Sequence, residues 1–379
     1  MEPHSTYSLS WPPGVPYINQ SSAPSKSAFV QPCKQHEFGA DHTAVPDASP
    51  HSEHVLSTIH ENELSSNEFR LLCLTAEQSD DFPVRISLET YEDERYPEYE
   101  CVSYTWGGED GDDTLCRPAY IGPYWDVSLQ TKNCWNMLTF LRPERGHRLI
   151  WVDAICINQQ NVRERSAQVA KMGAIYSNCR RVVVYLGDDM ANKTPGDYPV
   201  RGWIEDVVSL GSTTTSSSSS SSSAPSGHTK IDFAPILKRR YFSRAWIVQE
   251  LLLSPQVAIQ VGNTEIRLDS STPWPDARQW SYTAVPWMQY VSKARISKNS
   301  FSDLIEMTAD SSASDSRDKA FALLGLVSAP SAPRPDYSLP PLHIAVGIAA
   351  YCLLSERYPG VLQWASANPA GIGLPSWAP

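Results

Sequence analysis

Along the middle of this chain, short apolar runs of strand length alternate with stretches of helical period, and that alternation limits the folds open to it. Residues 99–105, 149–152, 181–186 and 256–261 each read as a strand. The run Leu149-Ile150-Trp151-Val152 is apolar throughout, as a parallel strand covered on both faces requires. Between the strands, residues 131–141 set Cys134, Leu138 and Leu141 on one helical face. Residues 162–177 do the same with Val162, Val169, Met172 and Tyr176. A further helix is expected over 243–253. Right-handed crossovers then leave few topologies. The economical one is an α/β fold built on a flavodoxin-like, mostly parallel sheet with flanking helices. Residues 69–74 and 84–88 add a hairpin before it.

The alternation also divides the chain. Residues 1–66 are rich in Pro, Ser and His, lack periodicity, and are expected to be disordered. The main domain is expected over 67–262, interrupted by a disordered insertion at 189–235 that carries the serine tract 216–223. Residues 263–379 read as a mainly helical C-terminal region, with helices starting near Ser316 and over 342–356.

Composition removes several function classes. A formal net charge of -11 argues against a general nucleic-acid or anionic-membrane binder. The 8 cysteines form no CxxC pair and have no histidine at zinc-ligand spacing, so no metal site is expected; buried free thiols of a cytoplasmic protein are the simple reading. No signal peptide is visible after Met1, and the apolar run 344–354 is too short to span a bilayer. Neither GxSxG nor HExxH occurs.

Four blocks carry a family resemblance. The first is Tyr99-Glu100-Cys101-Val102-Ser103-Tyr104-Thr105-Trp106-Gly107. The second is Trp151-Val152-Asp153-Ala154-Ile155-Cys156-Ile157-Asn158-Gln159 with Glu164-Arg165-Ser166 after it. The third is Arg244-Ala245-Trp246-Ile247-Val248-Gln249-Glu250-Leu251, and the fourth is Asp315-Ser316-Arg317-Asp318-Lys319. In this order they resemble the fungal heterokaryon-incompatibility (HET) domain family. That family in turn looks like a distant relative of TIR domains, which are flavodoxin-like. The resemblance implies an effector of non-self recognition and programmed cell death. Other HET-type or recognition proteins, or a second copy of the chain, are the partners it implies. No cofactor is expected; NAD enters only as a substrate. A non-enzymatic assembly module and a nucleotide sensor without turnover are the alternatives.

Glu250 is the sharpest candidate for chemistry. With Gln249 it is a polar exception in an apolar helix, and Trp246 stands four positions before it on the same face. The interval from Trp246 to Glu250 is similar to the TIR motif that holds the glutamate of NAD-cleaving members, with Ile247 in place of the usual Cys. A carboxylate at the carboxyl ends of the strands can stabilise an oxocarbenium-like state. The alternative is a glutamate paired with Arg244 to fix the helix. Asp153 closes the strand 149–152, with Asn158 following in the loop; it either faces a ligand or receives backbone N–H groups in a tight turn. Ser103, Trp106 and Gly107 form the loop after the first strand, where the indole either stacks on a base or packs in the core. Asn161 and Glu164 have capping-box spacing. Arg165 reads as a solvated helix residue, and Arg317 as a link between the C-terminal region and the core.

Overall fold

The apolar run at 149–152 falls on the central strand of a nine-stranded sheet. The computed structural model describes residues 58–60, 62–76, 83–122, 126–191, 236–261, 264–270, 285–292, 300–327 and 332–361. The strands are β1 (Glu68–Thr75), β2 (Val84–Glu92), β3 (Glu100–Tyr104), β4 (Leu115–Ile121), β5 (Asp126–Thr131), β6 (His147–Trp151), β7 (Val182–Tyr185), β8 (Gln256–Val261) and β9 (Thr264–Asp269). Their order is β5-β4-β2-β1-β6-β3-β7-β8-β9. The helices are α1 (Lys132–Leu141), α2 (Asp153–Cys156), α3 (Val162–Asn178), α4 (Asp188–Ala191), α5 (Ile247–Leu253), α6 (Phe301–Met307), α7 (Asp318–Leu324) and α8 (Pro341–Leu354).

The α/β class expected from sequence is present, but the sheet is mixed rather than mostly parallel. Strands β6, β3, β7 and β8 are mutually parallel, as are β2 and β4. Antiparallel pairings join β1 to β2 and to β6, β4 to β5, and β8 to β9. Two hairpins account for much of the difference. The chain leaving β3 does not enter a helix directly; it first makes β4 and β5, which Pro118 and the buried polar pair Ser128 and Gln130 conceal from an apolar-run reading. Strand β9 occupies ground expected to be helical. Its Ile266 and Leu268 alternate with polar residues, the pattern of a strand covered on one face.

The parallel strands are buried because helices cover them. Strand β7 is Val182-Val183-Val184-Tyr185 with every residue buried. Cys101 of β3 points to the α3 side, where its thiol approaches the Ile175 carbonyl. Tyr104 points to the other side, toward Cys134 of α1. Trp151 and Tyr176 meet edge to face, their ring centroids 5.4 Å apart. Helices α3 and α7 touch at Gly173 and Gly325, where a Cβ on Gly173 would lie 2.9 Å from Gly325 Cα. The approach is close enough that no side chain fits between the two backbones.

Other boundaries shift for local reasons. The helix expected from 243 begins at Ile247, because Ala245 N–H is bonded to Ser312 O and Arg244 pairs with Ser312 in a bridge. Residues 58–60, inside the segment expected to be disordered, form a 3-10 turn whose His60 ring nitrogen bonds the Ile155 carbonyl at 2.8 Å. The serine tract, the remainder of the insertion beyond Ala191, the turn at Gly262-Asn263 and residues 1–57 lie outside the described residues. The seven described cysteines are free, six of them buried. No helix among the described residues is long and apolar enough to cross a membrane.

Candidate functional site

At the carboxyl end of β3 the strand alternation places Ser103 on the same face as Cys101, toward the helices beneath the sheet. Helix α5 is driven against that face by Ile247, Val248, Leu251 and Leu252, all buried. Glu250 is carried in with them and is 2% exposed. The Ser103 hydroxyl donates to Glu250 Oε2. Tyr241 OH lies 2.6 Å from Ser103 Oγ and donates to it, since the serine proton is committed to the carboxylate. Arg244 Nη1 donates to the Tyr104 carbonyl at 2.5 Å, which fixes its guanidinium beside the same carboxylate.

The electrostatics follow from this packing. Burial pushes the Glu250 carboxyl up to about 7, against the pull of Arg244 and the Ser103 hydroxyl, while the Asp153 charge pushes it further up. At neutral pH the group is thus divided between its two protonation states. Despite its own desolvation, Arg244 is held charged by Glu250 and Asp153. Burial also raises Asp153, with Arg244 opposing.

Asp153 opens α2 directly after β6. Its Oδ1 accepts the Ala154 N–H at 2.7 Å, and Trp106 Nε1 donates to the two carboxylate oxygens at 3.2 and 3.0 Å. Trp106 is 36% exposed, so it neither packs in the core nor stands free; its indole lies against Asp153 at the surface. The loop that carries it is tied down by Thr131 Oγ1, which donates to the Trp106 carbonyl at 2.7 Å, and by Asn133, which donates to the Thr105 carbonyl at 2.5 Å. Gly107 serves this loop's fold, because a Cβ there would sit 2.7 Å from the Gly111 carbonyl carbon. Arg239 then joins the loops after β3 and β7: it pairs with Glu109 at 3.3 Å and with Asp189 at 2.7 Å.

Ser103, Trp106, Asp153 and Glu250 are thus gathered at the carboxyl ends of β3 and β6. Two other candidates work elsewhere. Asn158 accepts the Gln160 and Asn161 N–H groups and shapes the turn into α3. Trp246 donates to Asp318 at 3.1 Å, and Asp318 also accepts the Tyr337 hydroxyl at 2.5 Å. Three further expectations resolve here. Asn161 caps α3, but Glu164 does not reach back to it; its carboxylate takes buried Arg70 at 2.5 Å and the Asn158 N–H at 2.8 Å. Arg165 is not simply solvated, since its guanidinium lies 3.8 Å from the centre of the Tyr337 ring. Arg317 does hold the C-terminal segment, donating to the Tyr337 and Leu339 carbonyls at 2.8 Å each.

Sequence reasoning passed over Tyr241 and treated Arg244 only as a counter-charge. Tyr241 follows the basic run Lys238-Arg239-Arg240, which draws attention to charge rather than to the buried phenol beside it. Among the described residues, a hollow of about 200 Å³ lies at the opposite end of the sheet from Glu250, lined by Glu100, Arg148 and Arg181 among others. No group of three or more His, Cys, Asp or Glu among the described residues is placed to hold a metal ion.

Residues 99–250, which run from the residue before β3 to Glu250 itself, match the family described as heterokaryon incompatibility protein (HET). Heterokaryon incompatibility protein 6, OR allele, of Neurospora crassa is 35% identical over 100 residues, a match covering 24% of this chain and 14% of that protein. No solved structure matches. Residues 99–250, the segment that builds the Ser103–Glu250 site, are thus similar to the heterokaryon incompatibility domain family.

Proposed function

We propose that this chain acts in heterokaryon incompatibility and that its HET domain does so by cleaving NAD between nicotinamide and ribose. The observation that carries the reading is the buried Glu250 carboxylate at the carboxyl end of a parallel strand, bonded to Ser103 and flanked by Arg244. Taken in chain order, the parallel strands β3, β6, β7 and β8 stand in the sequence 2-1-3-4, the start of the flavodoxin order, and this supports the TIR-like kinship. Ligands of such sheets bind beyond the carboxyl ends of the strands.

In this reading the bond from ribose C1′ to the pyridinium nitrogen breaks with its electron pair passing to nicotinamide. Nicotinamide leaves neutral, so no acid is required. Ionised Glu250 stabilises the cationic ribose, and water then completes ADP-ribose and releases a proton. Arg244 and the Ser103 hydroxyl keep part of the carboxyl ionised near neutrality. Trp106 and Asp153 are the part of the constellation that reaches the surface, so the dinucleotide enters on their side.

The deep burial of Glu250 favours a second reading, in which the same residues hold the fold of a non-enzymatic assembly module. Incubating the purified chain with NAD separates the two. Release of nicotinamide supports cleavage. Intact NAD, with an apparent molar mass by light scattering that rises with protein concentration, supports assembly.

A further inference from the structure

The sheet has a second chemically distinct end. At the amino ends of β3 and β6, and beside Arg180 and Arg181 ahead of β7, a hollow of about 200 Å³ opens. Tyr99, Pro143 and Leu149 give it apolar walls. Its floor is Glu100, a buried carboxylate that accepts Arg148 Nε and Arg181 Nε at 2.5 Å each. Against the desolvation of its own burial, the two guanidinium groups hold Glu100 below the usual carboxylate range. Because both arginines are clamped through their Nε atoms, their planes are fixed at the wall rather than mobile in solvent.

The lining as a whole holds four arginines, at 145, 148, 180 and 181, against Glu98, Glu100 and Glu144. Arg148 and Arg181 are engaged by Glu100, and Arg180 by Glu98 at 2.9 Å. Arg145 is exposed and has no ion-pair or hydrogen-bond partner among the described residues. An occupant would therefore meet apolar and guanidinium faces inside and one uncommitted cation at the rim. The volume is near that of a cavity that accepts a benzene-sized group. Flat rings stack well on guanidinium planes, and a carboxylate is the natural partner of an open arginine fork.

We infer that this hollow is a binding site for a small aromatic monocarboxylate, with the ring between the apolar wall and the arginine planes and the carboxylate on Arg145. The site is separate from Glu250 and stands whether or not that residue cleaves NAD.

Phenylacetate is the probe, titrated into the full chain by calorimetry, with neutral phenylacetamide as its isostere. The expected result is saturable binding with a dissociation constant of about 1 mM or tighter, at least about five-fold stronger than that of the amide. Arg145→Glu, a change at an exposed position, lowers the affinity by at least about five-fold. Pro143→Trp, which fills the mouth, abolishes it, and Glu250→Gln leaves it unchanged. No saturation with phenylacetate overturns the assignment. So does equal binding of acid and amide, or binding that survives both Arg145→Glu and Pro143→Trp.

Discussion

Ser103 and Glu250, 147 positions apart in the chain, share a buried hydrogen bond that joins β3 to α5. With the bond from Arg244 to the Tyr104 carbonyl, it joins the first and third family blocks. Replacing Ser103 with alanine leaves the carboxyl with less to offset its desolvation, so its pKa moves further above about 7. A loss of about 1–2 kcal/mol in stability is expected, because Tyr241 OH also loses its partner. Urea denaturation at pH 7 measures it, and a change too small to resolve would count against a structural role for the bond.

Glu250 makes a contribution of definite sign to the pH dependence of stability. Glu250 binds its proton up to about 7 in the fold, against an ordinary value of 4.5. Between those values the folded chain holds a proton that the unfolded chain has released, so stability falls as pH rises through the window. The group's contribution is fully present below about pH 4.5 and lost as pH passes about 7, a swing on the order of 3 kcal/mol. Glu250→Gln removes that slope. Denaturation curves at pH 5 and pH 8 should show the variant gaining on the wild type at the higher pH.

Much of the sheet centre was legible because its residues leave no alternative. Leu149-Ile150-Trp151 and Val182-Val183-Val184 can be satisfied only by burial on both faces, and they form β6 and β7. The edges were not legible, because β5 and β9 are only partly apolar and their pairing depends on which strand happens to lie beside them. At the site, Glu250 stood out as a charge in an apolar helix. Arg165 and Trp246 were harder to place because their partners Tyr337 and Asp318 lie in a segment whose position the local pattern does not fix.

Gly325 is fixed by its neighbours rather than by its backbone angles. A Cβ there would run into Gln249 Oε1 and lie 3.0 Å from Gly173 Cα. Gly325→Ala should therefore destabilise by about 1–3 kcal/mol by forcing α7 away from α3 and α5. Chemical denaturation tests this, with Gly347→Ala, where a Cβ meets nothing within 4 Å, as the control expected to hold or gain stability.

The pair Arg70–Glu164 fixes α3 against β1, with side chains 4% and 6% exposed. Glu164→Gln leaves the guanidinium buried without its counter-charge and is expected to lose about 3–5 kcal/mol. Replacing both residues, as Arg70→Met with Glu164→Leu, should lose less than the single change. A double substitution that proves worse than Glu164→Gln alone would show that the pair's net contribution exceeds its desolvation.

In NAD cleavage, the Glu250 carboxylate would be the group that stabilises the reacting ribose. Release of nicotinamide from NAD at pH 7.5 by the full chain and by Glu250→Gln, with matched circular dichroism, tests it directly. The wild type should release nicotinamide, and the variant should be slower by at least about 100-fold. Equal release by both proteins, or intact NAD after incubation with the folded wild type, would rule out this role for Glu250.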